Sequence, residues 1–308
     1  MFFQIFLDIC APIFLIVGLG WLLDRKFHLH LESLVKLNIY LMVPAFIFTH
    51  VLDAHLAGSE AIRIVAFTLS TIILMYVGSA IAAKIFKMEG KQRQSLSLAT
   101  MFYNCGNYGL PLVTLAFGHA AAAIQIYVLA TMNVSTYTIG LFLAQSHGET
   151  AGSHRKALAK VLRQPTIYAL FAAILCKSLH LPVKEIRWIW QPLDLLQSGL
   201  IGFALVTLGV QMSQTKHVPL RAPLWSAIGL RLVIAPMLAV PLALALGFSK
   251  DASASLILAA AAPTAVNTAL LAHEFGGDIP FATSAVYYST LFSMFTTTVL
   301  LYVLKWWL

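Results

Sequence analysis

Charged residues are scarce in this sequence. Only 10% of its 308 residues are Asp, Glu, Lys or Arg, whereas 59% are hydrophobic. A soluble globular domain carries about 25% charged residues, so this chain has too few of them to cover a surface that faces water. The composition therefore predicts an integral membrane protein and leaves no room for an independent soluble domain.

Cysteine is scarce as well. Cys10, Cys105 and Cys176 are far apart and each lies in an apolar run, so they show neither zinc-ligand spacing nor a disulfide pattern. We expect no metal and no cofactor. The N-terminus also lacks a positively charged segment and a small-residue cleavage site, which predicts a retained first crossing and not a signal peptide.

Long apolar runs fill the rest of the chain. Because a helix needs about 20 apolar residues to cross a bilayer core, the runs between charged or Gly/Pro-rich breaks predict ten crossings in an all-α membrane protein. The crossings cover residues 3–23, 35–56, 62–86, 95–117, 121–145, 165–180, 193–213, 222–247, 253–273 and 281–304.

The positive residues between the crossings predict the orientation. With both termini outside, the inner loops hold twelve Lys and Arg residues and the outer loops hold six. Cytoplasmic loops are enriched in Lys and Arg. We therefore expect a multi-pass inner (plasma) membrane protein with its N-terminus and C-terminus outside and a cytoplasmic loop at 146–164. The net charge of +8 reflects this loop bias, and no nucleic-acid partner is expected.

The ten crossings divide into two halves of five, 1–150 and 151–308, which enter the membrane in opposite senses. Pro12 and Pro165 each begin the first crossing of a half. The fourth crossing of each half is interrupted by polar and helix-breaking residues, at 99–118 and at 259–277. Interrupted segments at matching positions of inverted halves indicate a transporter binding site.

The two interruptions also suggest what could bind there. Backbone groups freed at membrane depth are tolerated only against protein or a wet cavity, and the N-terminus of a half-helix favours negative charge. Half-helices that begin near Tyr108 and Thr264 could hold a carboxylate, although the preceding half-helices end there with the opposite polarity. Our candidate substrate-binding residues are Asn104, Gly106, Asn107, Tyr108, Gly109, Pro111, Asn133, Pro263, Thr264, Asn267 and Arg231.

Arg231 has two interpretations. An arginine in the middle of a crossing is costly and must face protein or water. It could be a counter-charge for an anionic substrate, or a clamp on backbone carbonyls that a helix break has freed. Asn133 could line the cavity or could bond a neighbouring helix. Asn38 and Gln211 are weaker candidates for substrate contact.

The segments FYNCGNYGLPL (102–112) and AAAPTAVNTALLAHEFGGD (260–278) resemble the fourth- and ninth-helix signatures of the auxin efflux carrier family. The similarity extends over the chain and is that of a bacterial-type member of the bile/arsenite/riboflavin transporter superfamily. It implies two inverted five-helix repeats, whose helices 4 and 9 cross at midplane. It also implies a scaffold of helices 1, 2, 6 and 7 and a transport unit of helices 3–5 and 8–10. An elevator-type movement of small carboxylates, such as malonate, malate or indole acids, and a homodimer are further implications.

No Asp or Glu lies in the middle of a predicted crossing. Buried carboxylates are the usual carriers of coupling ions, so we expect sodium-independent transport, driven by the membrane potential or by protons through His50 or His273. The alternative is a sodium-coupled organic-anion symporter of the bile-acid type. A channel, a ligand-binding receptor and an intramembrane enzyme are the rival classes. The enzyme is disfavoured because His273–Glu274 lacks the second His of a metal-binding helix.

Overall fold

A computed structural model describes residues 2–54, 58–145, 162–274 and 276–307, and these residues form helices joined by short connections. The helices are α1 (Phe2–Phe27), α2 (Leu31–Asp53), α3 (Gly58–Ile85), α4 (Gly90–Met101), α5 (Leu110–Gln145), α6 (Pro165–Ser178), α7 (Arg187–Gln214), α8 (Ala222–Ala245), α9 (Lys250–Ala260), α10 (Asn267–Glu274) and α11 (Ile279–Trp307). Helix α5 is interrupted by a kink at Gly118, whose φ of 79° and ψ of −163° are not helical. Most of the predicted central loop, 146–161, lies outside the described residues.

Seven helical segments of the described chain are long and apolar enough to cross a membrane. They are α1, α2, α3, a segment from Cys105 to Thr136 that includes most of α5, α7, α8 and α11. The shorter apolar helix α6 covers the predicted sixth crossing. Predicted crossings four and nine are not single helices, because each is split between two helices, α4 with α5 and α9 with α10. The protein is thus a helical membrane protein, while the count of ten crossings and the inverted repeat remain predictions.

The helices pack in two groups. Helices α1, α2, α6 and α7 pack mainly against one another, and α3, α4, α5 and α8 to α11 form the second group. Glycine permits the closest approach in the first group, because a Cβ atom on Gly209 would lie 2.0 Å from the carbonyl oxygen of Val17 in α1. The division into a scaffold and a transport unit, and any relative movement of the two, remain predictions.

Candidate functional site

The two interrupted helices meet at their breaks. Tyr103 and Thr264 form an isolated antiparallel bridge. On either side of it, the amide of Asn104 donates to the carbonyl of Pro263 at 2.7 Å, and the amide of Ala265 donates to that of Phe102 at 2.9 Å. Extended backbone at membrane depth needs such internal partners because no water is available to it. The two breaks therefore satisfy each other where they cross.

The half-helices after the breaks begin at other residues than the sequence suggested. The first resumes in a π-helical turn at Cys105, and the second resumes at Asn267, so the expected starts at Tyr108 and Thr264 were each three residues away. Thr264 cannot start a helix here because it is held in the extended bridge. Its amide donates to Ser289 Oγ at 3.0 Å and its hydroxyl donates to the carbonyl of Ala99 at 2.9 Å.

Close packing shapes the first break. Gln125 in α5 is buried and donates from Nε2 to the carbonyl of Cys105 at 2.7 Å. A Cβ atom on Gly109 would lie 2.8 Å from that Nε2 atom and 3.2 Å from the carbonyl oxygen of Asn104. Gly109 is therefore required for space, since any side chain there would displace the glutamine that supports the turn.

A cavity of about 240 Å³, which we call the crossing cavity, adjoins the two breaks. It lies between α2, α5, α6, α7, α10 and the turn at Cys105. The sequence contains five asparagines, and all five line this cavity. They are Asn38, Asn104, Asn107, Asn133 and Asn267. None of the residues described as lining it is charged. An uncharged amide cluster of this kind can both donate and accept hydrogen bonds.

Several polar atoms of the crossing cavity have no partner in the described part of the chain. Asn38 Nδ2 donates to Asn107 Oδ1 at 2.8 Å, which links the two helix groups. The buried atoms Asn38 Oδ1, Asn104 Nδ2, Tyr103 Oη and Gln211 Oε1 are left without a protein partner. Buried polar groups nearly always have a partner, so the cavity has hydrogen-bonding capacity for a ligand or for water.

Other predicted residues serve the breaks without lining the cavity. Gly106 lines it, but Tyr108 is fully buried against α11, where its hydroxyl lies 3.2 Å from Thr297 Oγ1. Gly109, Pro111, Pro263 and Thr264 are buried and are not among the lining residues. Sequence reasoning missed Gln125, Gln164 and Thr166; the first supports the break and the other two line the cavity.

Arg231 is completely buried in α8 and is not among the residues that line the crossing cavity. Its Nη1 donates to the carbonyl of Thr100 at 2.6 Å and its Nη2 donates to the carbonyl of Ala260. These carbonyls belong to the last turns of α4 and α9. The guanidinium also lies 4.8 Å from the ring centroid of Tyr103. These contacts fit the carbonyl clamp that the sequence suggested as one of two roles.

A second cavity, of about 600 Å³, lies at the opposite ends of α2 and α7 from the crossing cavity, and we call it the histidine cavity. His50 of α2 and His119 of α5 line it, with 3.2 Å between His50 Nε2 and His119 Nδ1. His50 Nδ1 lies 3.1 Å from the carbonyl of Phe46. A carbonyl can only accept, so a neutral His50 that bonds it carries its proton on Nδ1 and can accept from His119 through Nε2. Four carboxylates share the cavity, those of Asp53, Glu60, Asp194 and Asp251. His273, the other suggested proton carrier, is exposed.

Two crossed, interrupted helices beside a polar cavity in an apolar helical protein define a membrane transporter. The sequence matches the model of the family described as "Membrane transport protein" over residues 5–301, and the chain belongs to this family, that of the auxin efflux carriers.

Its relatives carry transporter names. The chain is 26% identical to the "Putative malonate transporter" of Rhizobium meliloti, over 96% of this chain and 94% of that one. It is 24% identical to an "Uncharacterized transporter" of Methanothermobacter thermautotrophicus, over 92% and 93% of the two chains. The similarity covers nearly the full length of each protein.

Proposed function

We propose that this protein is a secondary transporter of small organic anions. The observation that carries the proposal is the crossing cavity, which collects every asparagine of the sequence around two paired helix breaks. The amide donors and the free N–H groups at the starts of the following half-helices can bond a carboxylate. Asn104 Nδ2 is a buried donor without a partner in the described residues, which suits a substrate oxygen.

The volume of the cavity supports a small substrate. Pockets for drug-sized ligands are about 300–1,000 Å³, and this one is about 240 Å³. Malonate and malate are small enough for such a space, and a relative is named for malonate transport. An indole acid is larger, so we rank it below the short dicarboxylates.

Sodium-independent transport is the coupling we propose. None of the residues described as lining the crossing cavity is a carboxylate, and carboxylates in membrane segments are the usual ion carriers. The mechanism we propose is an elevator-type movement of the second helix group along the first. The hydrogen bond between Asn38 and Asn107 joins these groups beside the cavity, so a substrate that competes for Asn107 would loosen their contact.

The test is transport by the reconstituted protein. Currents on a solid-supported membrane are recorded during concentration jumps of malonate, malate and indole-3-acetate, with sodium or with potassium as the only cation. We expect a saturable malonate current that is the same in both salts and is lost in Asn107→Ala. The control is Thr283→Ala, because Thr283 is half-buried on α11 and its hydroxyl donates to carbonyls of its own helix, those of Ile279 and Pro280.

Each alternative gives a different result. A current that requires sodium would indicate the bile-acid type of symporter. Saturable malonate binding without flux or exchange of radiolabelled malonate would indicate a receptor. A malonate current that persists undiminished in Asn107→Ala would move the binding site away from the crossing cavity.

A further inference from the structure

We propose that Arg231 is a positioning residue whose charge cancels the negative ends of α4 and α9 and so makes the crossing cavity selective for anions. This inference rests on the proposed function for its ligand class and deepens it. The residue acts through the helix ends, since it is completely buried and does not line the cavity.

Four helix ends converge on the crossing. Each helix end carries about half an elementary charge, positive at the N-terminus and negative at the C-terminus. The C-terminal ends of α4 and α9 and the N-terminal ends that follow at Cys105 and Asn267 therefore sum to about zero. By themselves, the paired breaks give no preference for either sign of ligand.

Arg231 removes the negative half of this sum. One guanidinium donates to the carbonyl of Thr100 and to that of Ala260, the last turns of the two helices that end at the crossing. Arginine keeps its charge in proteins, so its unit charge offsets two half charges of opposite sign. What remains is a net positive potential from the two N-terminal ends.

The lining of the cavity makes this remote charge decisive. The residues described as lining it are uncharged, so a preference for anions has to come from a charge that lies outside the lining. The unpartnered donor Asn104 Nδ2, whose residue is 7% exposed, independently indicates a ligand that brings acceptor oxygens. A buried charge also acts through a lower effective dielectric than a surface charge does.

The alternative is a purely mechanical staple, in which the guanidinium holds two helix ends together by hydrogen bonds. Glutamine in place of Arg231 retains amide donors and loses the charge, whereas lysine retains the charge and loses the planar pair of donors. The electrostatic potential in the crossing cavity therefore distinguishes the two roles. Loss of a purely mechanical staple would change this potential only if the protein failed to fold.

The experiment measures this potential without any substrate. Leu270 in α10 lines the cavity and is 59% exposed, so Leu270→Cys serves as a reporter once Cys10, Cys105 and Cys176 are replaced by alanine. We measure its rates of modification by the anionic sulfonatoethyl and the cationic trimethylammonioethyl methanethiosulfonates. The ratio of these rates, normalised to that of 2-mercaptoethanol, reports the sign of the potential.

We expect an anion-to-cation ratio well above one for the reporter. Arg231→Gln should lower it by roughly tenfold, because the lost unit charge changes the two rates in opposite directions. Arg231→Lys should leave it within about threefold. Ala120→Cys, exposed in the histidine cavity beside four carboxylates, is the matched control reporter, whose ratio Arg231→Gln should not change.

A ratio at Leu270→Cys that stays the same in Arg231→Gln would overturn the proposal in favour of the staple. If Arg231→Gln does not fold, the chain that retains Arg231 decides. In that chain, an anion-to-cation ratio above one at Leu270→Cys supports the proposal, and a ratio of one or below overturns it. Neither outcome depends on the cargo, so a failure of malonate transport is a separate result.

Discussion

Replacing Asn104 by alanine should weaken anion binding without weakening the fold. Its Nδ2 atom is buried and has no partner in the described residues. A hydrogen bond to a charged group contributes about 1.5–3 kcal/mol, and a factor of ten corresponds to about 1.4 kcal/mol. We therefore expect the dissociation constant for malonate to rise about 10- to 150-fold. An unsatisfied buried donor costs about 1–3 kcal/mol, so the free energy of unfolding without ligand should change little or increase.

The assay is thermal unfolding of the detergent-solubilised protein across a malonate titration, since a ligand that binds only the folded state raises the melting temperature. Asn107→Ala is the matched comparison. It removes Asn107 Oδ1, the acceptor that lies 2.8 Å from Asn38 Nδ2. Asn38 is only 2% exposed, so its amide would be left buried without this partner. That variant should lose stability without ligand. An unaltered malonate response in Asn104→Ala would refute the role assigned to its amide.

The remaining predictions concern the first break and the histidine cavity. Gly109→Ala should lower the yield of folded protein and abolish malonate flux in liposomes, because its Cβ would lie 2.8 Å from Gln125 Nε2. Gly106→Ala should fold normally, because the nearest atom to its Cβ would be 3.6 Å away. Equal yields of folded protein for the two variants would contradict this reasoning. A second proton on His50, at Nε2, would weaken its contact with His119 Nδ1, which lies 3.2 Å away. We therefore expect the turnover rate to rise as pH falls, and to vary much less in His50→Phe; equal pH profiles for the two proteins would count against this reasoning.

The sequence predicted the helices better than their ends. Apolar runs located α3, for example, where residues 62–86 were expected and Gly58–Ile85 form the helix. Glycine, proline and asparagine also marked both breaks correctly. The residues at which the half-helices resume could not be predicted, because they depend on distant partners. Thr264 stays extended since it bonds Ser289 and Ala99, and no local propensity encodes a partner that is 165 residues away.

The candidate site was predictable where polarity interrupts an apolar crossing. This signal found Asn104, Asn107 and Asn267, and the structure places all three at the crossing cavity. It undervalued Asn38, whose contact with Asn107 joins segments 69 residues apart. The scarcity of asparagine was a signal for this residue. The sequence contains only five asparagines, so one inside an apolar helix indicates a specific polar contact. For Arg231, the sequence indicated burial but not which carbonyls would receive its donors.

Helix α2 connects the two cavities mechanically. It contributes Asn38 to the crossing cavity and His50 to the histidine cavity, and each residue bonds the second helix group, through Asn107 and His119. Twelve residues of helix place the two bonds about 18 Å apart. At about 0.5–1.5 kcal/mol each, together they contribute about 1–3 kcal/mol, which favours one arrangement without locking it. A substrate that took the Asn107 amide would replace one bond, and protonation of His50 would weaken the other. Substrate and protons would then release the same movement from opposite ends of α2. In the proposed elevator, both the turnover rate and its pH dependence would therefore depend on the contacts of this helix.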